Sequence, residues 1–454
     1  MLPFALIDKY NVPIPRYTSY PTVPFWKDDL IDNVDWKLQI EKAIKANKTK
    51  EGISLYIHLP FCEQLCTYCG CNKRITKNHA VENVYIKALL KEWNYYKAIL
   101  GKDVVVRELH LGGGTPTFFS PENLVFLLNE LLKDVEIHPE KEFSFEGHPN
   151  NTTKEHLQSL YTIGFRRVSF GVQDLNLKVQ TAINRIQPFE KTKQVTNWAR
   201  EIGYESVNFD LIYGLPFQTI NTIKETIETV IQLQPNRIAF YSYAHVPWTQ
   251  KSQRAYDEND LPKGKDKYAL YDLGKQLFTD ANYTDVGMDH FALENDGLLI
   301  SKQNGLLHRN FMGYTTTNTE MLIGLGVSAI SDVFYGFRQN YKTVEEYYAS
   351  LDIDTLPIHR GINVSDEDII YRKHILNIAC KGTTDWKDEI EITALMENQL
   401  NDLQKDGLIN WKETQLEVTT LGWNFLRNIC AVFDKKMNDN KQPNNNTPKF
   451  SQAV

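Results

Sequence analysis

From about residue 52, the chain repeats one pattern: a short run rich in β-branched and aromatic residues, followed by a longer segment with helical periodicity. The short runs predict strands at 54–60, 105–111, 142–146, 167–172, 207–212 and 237–244. The longer segments predict helices at 81–100, 121–132, 154–163, 190–202 and 220–232. Six consecutive strand–helix units imply parallel strands joined by right-handed crossovers. We therefore expect an α/β protein built on a partial, TIM-like (β/α)6 barrel.

The rest of the chain divides into an extension, a C-terminal domain and a tail. Residues 1–50 contain proline-rich turns and are expected to form an N-terminal extension ahead of the barrel at 51–345. The order helix, helix, hairpin, helix predicts a mostly helical, winged-helix-like domain at 346–435. Residues 436–454 are polar and asparagine-rich, which predicts a disordered tail.

Composition and charge exclude several classes of protein. The content of hydrophobic residues (42%) and charged residues (24%) is ordinary for a globular protein. No apolar run approaches the roughly 20 residues that span a bilayer, and no basic-then-apolar signal peptide begins the sequence. A net charge of −7 argues against nucleic acid as a partner. We expect a cytoplasmic, monomeric protein.

Four of the six cysteines fall within ten residues: Cys62, Cys66, Cys69 and Cys71. The first three form CxxxCxxC, a spacing that lets one short loop hold three thiolates around one inorganic centre. Three protein ligands on a cube of four irons leave one iron open to another molecule, which indicates catalysis. Zinc is the alternative, because Cys71 could serve as a fourth ligand, although structural zinc sites usually pair cysteines differently.

Chemically suggestive residues follow each predicted strand. The cysteines follow the first strand, a run of three glycines from Gly112 follows the second, and further polar residues follow the others, namely Glu146, Gln173, Asp174, Asp210 and His245. The carboxyl ends of barrel strands form the active-site face, so we expect these residues to share one site. Glycines let backbone amides approach a carboxylate closely, and this run matches neither common phosphate-loop pattern.

The cysteine motif, the aromatic Tyr68 before its third cysteine, and the glycine-rich loop together resemble the radical S-adenosylmethionine (SAM) superfamily. This resemblance implies that Cys62, Cys66 and Cys69 ligate a [4Fe–4S] cluster. It further implies that the amine and carboxylate of SAM chelate the open iron. One electron from the reduced cluster would then cleave the sulfonium and give a 5′-deoxyadenosyl radical.

A narrower resemblance covers nearly the whole chain, from about residue 7 to about residue 434. The segments that carry it are similar to those of oxygen-independent coproporphyrinogen III oxidases: RYTSYPT, YIHLPFC, CGCNK, GVQD, DLIYGLP, GMDHFA, HRNFMGYTT and GVSAIS. It implies that two propionates of the tetrapyrrole coproporphyrinogen III are oxidatively decarboxylated to vinyl groups, giving protoporphyrinogen IX. An electron donor and an electron acceptor, both unidentified, are implied as partners.

The same resemblance implies two bound SAM molecules and assigns residues to each. Contacts to the first are expected from Tyr56, Tyr68, Gly113, Glu146 and Ile330. Contacts to the second are expected from Gly114, Thr115, Gln173, Arg185, Asp210 and Ala244. The residue types suit these roles, because a carboxylate accepts from an ammonium or from ribose hydroxyls and a guanidinium holds a carboxylate in a bidentate fork.

Catalytic and substrate residues follow from the same segments. Glu146 and the thiol of Cys71 are expected to be catalytic, and Arg16 and Arg309 are expected to bind the propionates. The segment 16–22 is expected to close over the pocket as a lid. Two positions depart from the family pattern: Met312 stands where glutamine is usual, and Gly147-His148 replaces a more common pair.

Two other functions stay open from the sequence. The first is a haem chaperone of the same superfamily, which retains the cluster motif but delivers haem. That branch typically lacks the equivalents of Cys71 and of the segment 16–22, both of which are present here. The more distant alternative is a zinc-bound structural or nucleic-acid-binding module built on the cysteine loop.

Overall fold

The computed structural model describes residues 4–28, 33–248, 250–439 and 450. Contacts divide the chain into two compact units. The sheet unit comprises Lys27–Pro262 and Thr319–Asn363, and the second unit comprises Met1–Trp26, Lys263–Asn318 and Val364–Val454. No helix of the described segments is both long enough and apolar enough to cross a membrane.

The strands are, in chain order, β1 (Ile53–Leu59), β2 (Phe61–Cys62), β3 (Arg74–Ile75), β4 (Val105–Gly113), β5 (Glu136–Gly147), β6 (Arg167–Gln173), β7 (Ser206–Tyr213), β8 (Arg237–Ser242), β9 (Thr284–Gly287), β10 (His290–Ala292), β11 (His308–Asn310), β12 (Gly313–Thr315), β13 (Leu322–Leu325), β14 (Ile330–Asp332), β15 (Gly336–Asn340), β16 (Ile358–Asn363), β17 (Thr383–Asp385), β18 (Ile409–Lys412) and β19 (Gln415–Val418).

The α-helices are α1 (Phe4–Tyr10), α2 (Asn33–Lys45), α3 (Val81–Leu100), α4 (Pro121–Leu132), α5 (Lys154–Ile163), α6 (Leu177–Ala182), α7 (Phe189–Ile202), α8 (Ile220–Ile231), α9 (Gly264–Asp280), α10 (Gly297–Gln303), α11 (Val344–Asp352), α12 (Asp366–Lys381), α13 (Ala394–Lys405), α14 (Leu426–Val432) and α15 (Lys435–Asp439).

A large mixed sheet forms the centre of the sheet unit. Strands β1, β4, β5, β6, β7 and β8 pair in that order, and every pair is parallel. On the other side of β1, β13 pairs in parallel and is followed by the antiparallel strands β14, β15 and β16. The α/β class and the six predicted strands are confirmed. Because the six strands run the same way, their carboxyl ends meet at one edge.

Helices α3, α4, α5, α7 and α8 connect these strands, as predicted. Their starts follow from local chemistry: the hydroxyl of Ser120 accepts from the amide of Asn123 at the start of α4, and Thr153 and Thr219 begin α5 and α8 with capping boxes. Each helix then buries one apolar stripe, which in α4 contains Leu124, Leu127, Leu128 and Leu131.

The second unit has its own core. Helices α12, α13 and α14 pack with the small antiparallel sheet β17-β19-β18 around buried side chains such as Trp386, Leu400 and Phe433. Helices α12 and α13, the β18–β19 hairpin and α14 follow one another in the predicted order. The predicted tail at 436–454 begins within α15, and most of it lies outside the described residues.

Candidate active site

The cysteine loop lies at the carboxyl edge of the parallel strands, directly after β1. It is closed by a two-residue parallel pairing of β2 with β3, in which Cys62 faces Ile75. Its middle is anchored by Thr67, whose amide donates to the carbonyl of Ile183 (3.0 Å) and whose hydroxyl donates to the carbonyl of Ala182 (3.1 Å). The ammonium of Lys73 donates to the carbonyl of Cys69 (2.8 Å). Backbone and side-chain contacts therefore set the shape of the loop.

The thiols within this loop differ in their surroundings. Burial raises the pKa of Cys62 to about 11, although its Sγ lies 3.3 Å from the hydroxyl oxygen of Thr115. A hydrogen bond from the Cys71 thiol lowers the pKa of Cys69 to about 6, with a further contribution from the charge of Lys73. The same hydrogen bond raises the pKa of Cys71. Cys69 thus becomes a thiolate more readily than Cys62 or Cys71.

The donor set suits an iron–sulfur cluster. Within the described residues, no three His, Cys, Asp or Glu side chains converge as the ligands of a single metal ion would. A cubane instead requires each thiolate to bind a different iron, so its three cysteines need a wider spacing. Three thiols on one loop at the strand edge are the donor type that such a cluster takes.

The glycine loop after β4 packs directly against the cysteine loop. The amide of Gly114 donates to the carbonyl of Leu59 (2.8 Å), and the amide of Thr115 donates to that of Phe61 (3.1 Å). A Cβ at position 114 would lie 2.5 Å from the carbonyl oxygen of Pro60 and 3.0 Å from Sγ of Cys62. Only glycine permits this close approach of the two loops.

Glu146 ends a row of polar side chains on the strand edge. Its Oε2 accepts from the amide of Gly113 (3.2 Å), and its Oε1 lies 3.6 Å from Nε2 of His110. The side chain is 45% exposed, so it remains accessible to a ligand. The ring of His110 stacks on Tyr56, and the Tyr56 hydroxyl lies 3.0 Å from Nδ1 of His58. Burial, followed by the charge of Glu146, raises the pKa of Tyr56.

Arg185 lies beside the cysteine loop on the other side. Its Nη1 is 3.7 Å from Sγ of Cys66, and its Nη2 donates to the carbonyl of Gly171 (2.6 Å). Its buried Nε has no hydrogen-bond partner among the described residues. Gln173 nearby adopts a left-handed backbone conformation with a φ of 67°. These features leave a guanidinium donor available for an anion.

Asp210 lies within β7 and is held by two neighbouring polar side chains. Its carboxylate accepts from the hydroxyl of Ser169 (2.9 Å) and from Nδ2 of Asn208 (2.9 Å). Burial, and then the negative charge of Glu146, raises its pKa to about 6. The charge of Glu146 therefore favours the protonated form of Asp210.

The remaining predicted contacts lie on neighbouring segments of the same edge. The amide side chain of Gln253 donates to the carbonyls of Tyr68 (3.1 Å) and Ala244 (3.2 Å), so it links those two positions. Ile330 begins β14 opposite Gly324, which pairs with Tyr56 of β1. The structure thus brings the predicted cluster and cofactor residues of the sheet unit to one edge.

The two predicted substrate residues belong to the second unit. Nη2 of Arg309 donates to the carbonyl of Arg16 (3.3 Å), and Nη1 of Arg16 lies 3.7 Å from Oδ2 of Asp289. Met312, one of the two departures from the family pattern, follows Arg309 in the chain. Its amide donates to Oδ1 of Asn310 (2.8 Å). The other departure, His148, lies near Arg185, and burial followed by this positive charge lowers the pKa of His148.

Several polar residues of the edge were not singled out from the sequence: His58, His110, Ser169 and Asn208. His110, Ser169 and Asn208 each precede a predicted site residue or a glycine by two positions on the same strand, and His58 follows Tyr56 by two, so each shares that residue's face. A polar side chain within an otherwise apolar, fully buried parallel strand is the signal that would have identified them.

Comparisons with known proteins identify relatives of this chain. The model of the radical SAM superfamily matches residues 56–230. The chain is 37% identical to an oxygen-independent coproporphyrinogen III oxidase from Synechocystis sp., with 99% of this chain and 97% of that protein covered. For the Escherichia coli protein of the same name, the identity is 37%, covering 95% of this chain and 94% of the relative. The solved structure of coproporphyrinogen III oxidase from Escherichia coli, described as a radical SAM enzyme, superimposes with a TM-score of 0.89 at 35% identity and covers 96% of this chain and 99% of that one.

Proposed function

Because the chain belongs to the oxygen-independent coproporphyrinogen III oxidase family of the radical SAM superfamily, we propose that it converts coproporphyrinogen III to protoporphyrinogen IX. In this reaction, two propionates become vinyl groups. Each loses a hydrogen atom from its β-carbon, then CO2 and one electron. The single observation that carries the proposal is the similarity to enzymes of this activity over nearly the full length of both chains.

Membership of this superfamily implies a [4Fe–4S] cluster and SAM. We propose Cys62, Cys66 and Cys69 as the cluster ligands, because the loop that carries them is anchored at the carboxyl edge of the sheet. When bound, the cluster and SAM supply the 5′-deoxyadenosyl radical that removes the hydrogen atom. The exposed fraction of Glu146 supports its role as acceptor for the methionyl amine.

Two SAM molecules are proposed, each with its own contacts. Tyr56, Tyr68, Gly113 and Ile330 would join Glu146 around the first molecule. Gly114, Thr115, Gln173, Arg185, Asp210 and Ala244 would surround the second. The unpartnered Nε of Arg185 supports a role in holding a carboxylate, and the fixed carboxylate of Asp210 supports a role in accepting from ribose hydroxyls.

Cys71 is proposed to act as a thiol beside the site rather than as a ligand. A hydrogen bond to Cys69, followed by the charge of Cys69, raises the pKa of Cys71, which favours its protonated form. A protonated thiol can donate a proton or a hydrogen atom, whereas a ligand must be a thiolate. Glu146 is proposed as a second catalytic group next to it.

The finer architecture is proposed from the sequence pattern and the family. The parallel strands would form a partial (β/α)6 barrel, residues 346–435 would form a winged-helix-like domain, and residues 1–50 would act as an extension and lid. The protein would work as a cytoplasmic monomer. It would need an electron donor and an electron acceptor of its own, and no nucleic-acid partner.

The test is an anaerobic assay with coproporphyrinogen III, dithionite and SAM. We expect protoporphyrinogen IX and 5′-deoxyadenosine, with about four irons and four sulfides per chain. Omission of SAM or of the reductant is the control and should abolish both products. Stable haem binding without turnover would overturn the proposal in favour of a haem chaperone, and stoichiometric zinc without iron would overturn it in favour of a zinc module.

A further inference from the structure

Four cationic side chains and one carboxylate gather in the second unit: Arg16, Lys267, Arg309, Arg427 and Asp289. We refer to them as the basic cluster. Nη1 of Arg16 lies 3.7 Å from Oδ2 of Asp289. Burial raises the pKa of Asp289, and the charges of Arg16, Arg427 and Arg309 act in the opposite direction. Burial, followed by the charges of Arg16 and Arg427, lowers the pKa of Lys267 to about 8. The charges of the three arginines therefore act on Asp289, and those of Arg16 and Arg427 also act on Lys267.

Main-chain carbonyls accept hydrogen bonds from two arginines of the basic cluster. Arg427 donates from Nε to the carbonyl of Pro15 (3.1 Å) and from Nη2 to that of Ile14. Arg309 donates to the carbonyl of Arg16. A carbonyl satisfies a donor without cancelling its charge, so the five side chains retain an excess of positive charge. Arg16 and Asp289 keep 36% and 26% of their side-chain exposure, which makes this charge accessible to a ligand.

Arg309 has buried hydrogen-bond donors that lack an acceptor among the described residues. It is 7% exposed, and its guanidinium lies 4.7 Å from the centre of the Tyr314 ring. Its Nε and Nη1 are buried and have no hydrogen-bond partner among the described residues. Burying a charged donor without an acceptor is costly, so such donors in a folded protein indicate a missing acceptor. A carboxylate is the acceptor that a guanidinium binds best.

The backbone that presents Asp289 is strained. Gly287, Met288 and Asp289 have consecutive positive φ angles of 136°, 44° and 107°, in the turn between β9 and β10. Non-glycine residues rarely adopt such angles unless the surrounding structure enforces them, and such strain is concentrated at functional sites. The turn places one carboxylate among the arginines, where it can orient Arg16.

We infer that the basic cluster anchors carboxylates of the substrate, with Lys267 and Arg309 as binding residues and Asp289 as a positioning residue for Arg16. The identity of the ligand as a tetrapyrrole with four propionates rests on the proposed function. The charge excess and the unpartnered donors of Arg309 do not rest on it. Arg16 and Arg309 were expected from the sequence, whereas Lys267, Asp289 and Arg427 follow from the structure alone.

The test measures binding of coproporphyrin III, the oxidised and unreactive form of the substrate, to the full-length protein by fluorescence titration. Lys267→Met is the main variant, because it removes a half-buried cation without leaving a buried carboxylate alone. Lys265→Met on the same helix is the matched control, because Lys265 is exposed. The tetramethyl ester of the porphyrin is the matched ligand, because it keeps the ring but lacks the charges.

We expect Lys267→Met to raise the Kd for coproporphyrin III by about tenfold, corresponding to the loss of one charge-assisted hydrogen bond. We expect Lys265→Met to leave that Kd unchanged, and Lys267→Met to leave binding of the ester unchanged. Arg309→Gln should raise the Kd for coproporphyrin III at least as much. If it unfolds, the Lys267 result decides alone.

An unchanged Kd in Lys267→Met overturns the inference, and so does an equal loss of affinity for the ester. These outcomes differ from a failure of the proposed function. A wild-type protein that binds coproporphyrin through Lys267 but forms no protoporphyrinogen IX would overturn the function and support the basic cluster. A wild-type protein that forms protoporphyrinogen IX, together with a Lys267→Met variant that binds coproporphyrin III normally, would support the function and overturn the inference about the basic cluster.

Discussion

Oε2 of Glu92 accepts a hydrogen bond from the amide of Gly326 at 2.8 Å, although the two residues lie 234 positions apart. The same carboxylate accepts from the hydroxyl of Tyr347 (2.6 Å) and from Nδ2 of Asn340 (2.6 Å), and Asn340 also donates to the carbonyl of Gly326 (2.8 Å). Glu92 is fully buried on α3. A carboxylate inside the sheet unit thus holds the segment that leads to β14 and Ile330.

Replacing Glu92 by alanine should destabilise the protein and weaken cofactor binding. Three buried donors would lose their acceptor, which we expect to lower the free energy of unfolding by about 3 kcal/mol. The loosened segment before Ile330 should raise the KM for SAM. Chemical denaturation and steady-state kinetics measure the two effects. Glu225→Ala, an exposed position on α8, is the control and should change neither. An unchanged KM in a clearly destabilised Glu92→Ala protein would contradict the positioning role.

The protonation of Glu92 should make stability depend on pH. Burial raises its pKa from 4.5 to about 7, so the folded state holds the proton more tightly than the unfolded state. The favourable contribution is complete below about pH 4.5 and is lost as pH rises through about 7, by roughly 3 kcal/mol in total. The free energy of unfolding, measured by denaturation between pH 5 and about 8, should therefore include a decrease with rising pH that is absent in Glu92→Gln. Equal slopes for the two proteins would contradict this assignment.

The cysteines of the loop should separate into ligands and a non-ligand. Replacing Cys62, Cys66 or Cys69 by alanine should abolish the cluster absorbance and the activity, because each would bind a different iron. Replacing Cys71 by alanine should leave iron and sulfide content intact and lower turnover. Anaerobic iron analysis, absorbance spectra and the turnover assay make the comparison. Loss of iron in Cys71→Ala would show that the ligand assignment is wrong.

A methyl group at Gly114 should push the glycine loop away from the cysteine loop. A Cβ there would meet the carbonyl of Pro60 at 2.5 Å, so we expect Gly114→Ala to destabilise the protein by about 2 kcal/mol and to lower its iron content. Gly70→Ala is the matched control within the cysteine loop, because a Cβ at Gly70 would meet no described atom within 4 Å. Equal iron content in the two variants would contradict the predicted close fit.

The parallel part of the sheet could be predicted because its signal is local. A strand such as β1, with Leu55, Ile57 and Leu59 fully buried, reads as a short apolar run. Parallel pairing then brings the residue after each strand to one edge without any further information. This is why the cysteines, Glu146 and Asp210 could be assigned to one site from the sequence.

The strand β15 was missed because its signal is not local. Gly336–Asn340 is buried throughout, yet it contains an arginine, a glutamine and an asparagine instead of an apolar run. Arg338 is tolerated there because its Nη2 donates to Oδ2 of Asp35 at 2.6 Å. The role of Glu92 was missed for the same reason, since its partners lie more than two hundred residues away. Such pairings exist only once the chain has folded.

The contact of Thr67 with Ile183 and Ala182 bears on how the metal centre is assembled. In small zinc domains the metal organises the chain, and removing it unfolds the protein. Here the loop is fastened at its middle by α6 and at its base by a strand pairing, with no thiolate taking part in either. We therefore expect newly made protein to fold first and to take up its metal cluster afterwards, in a binding loop that is already formed.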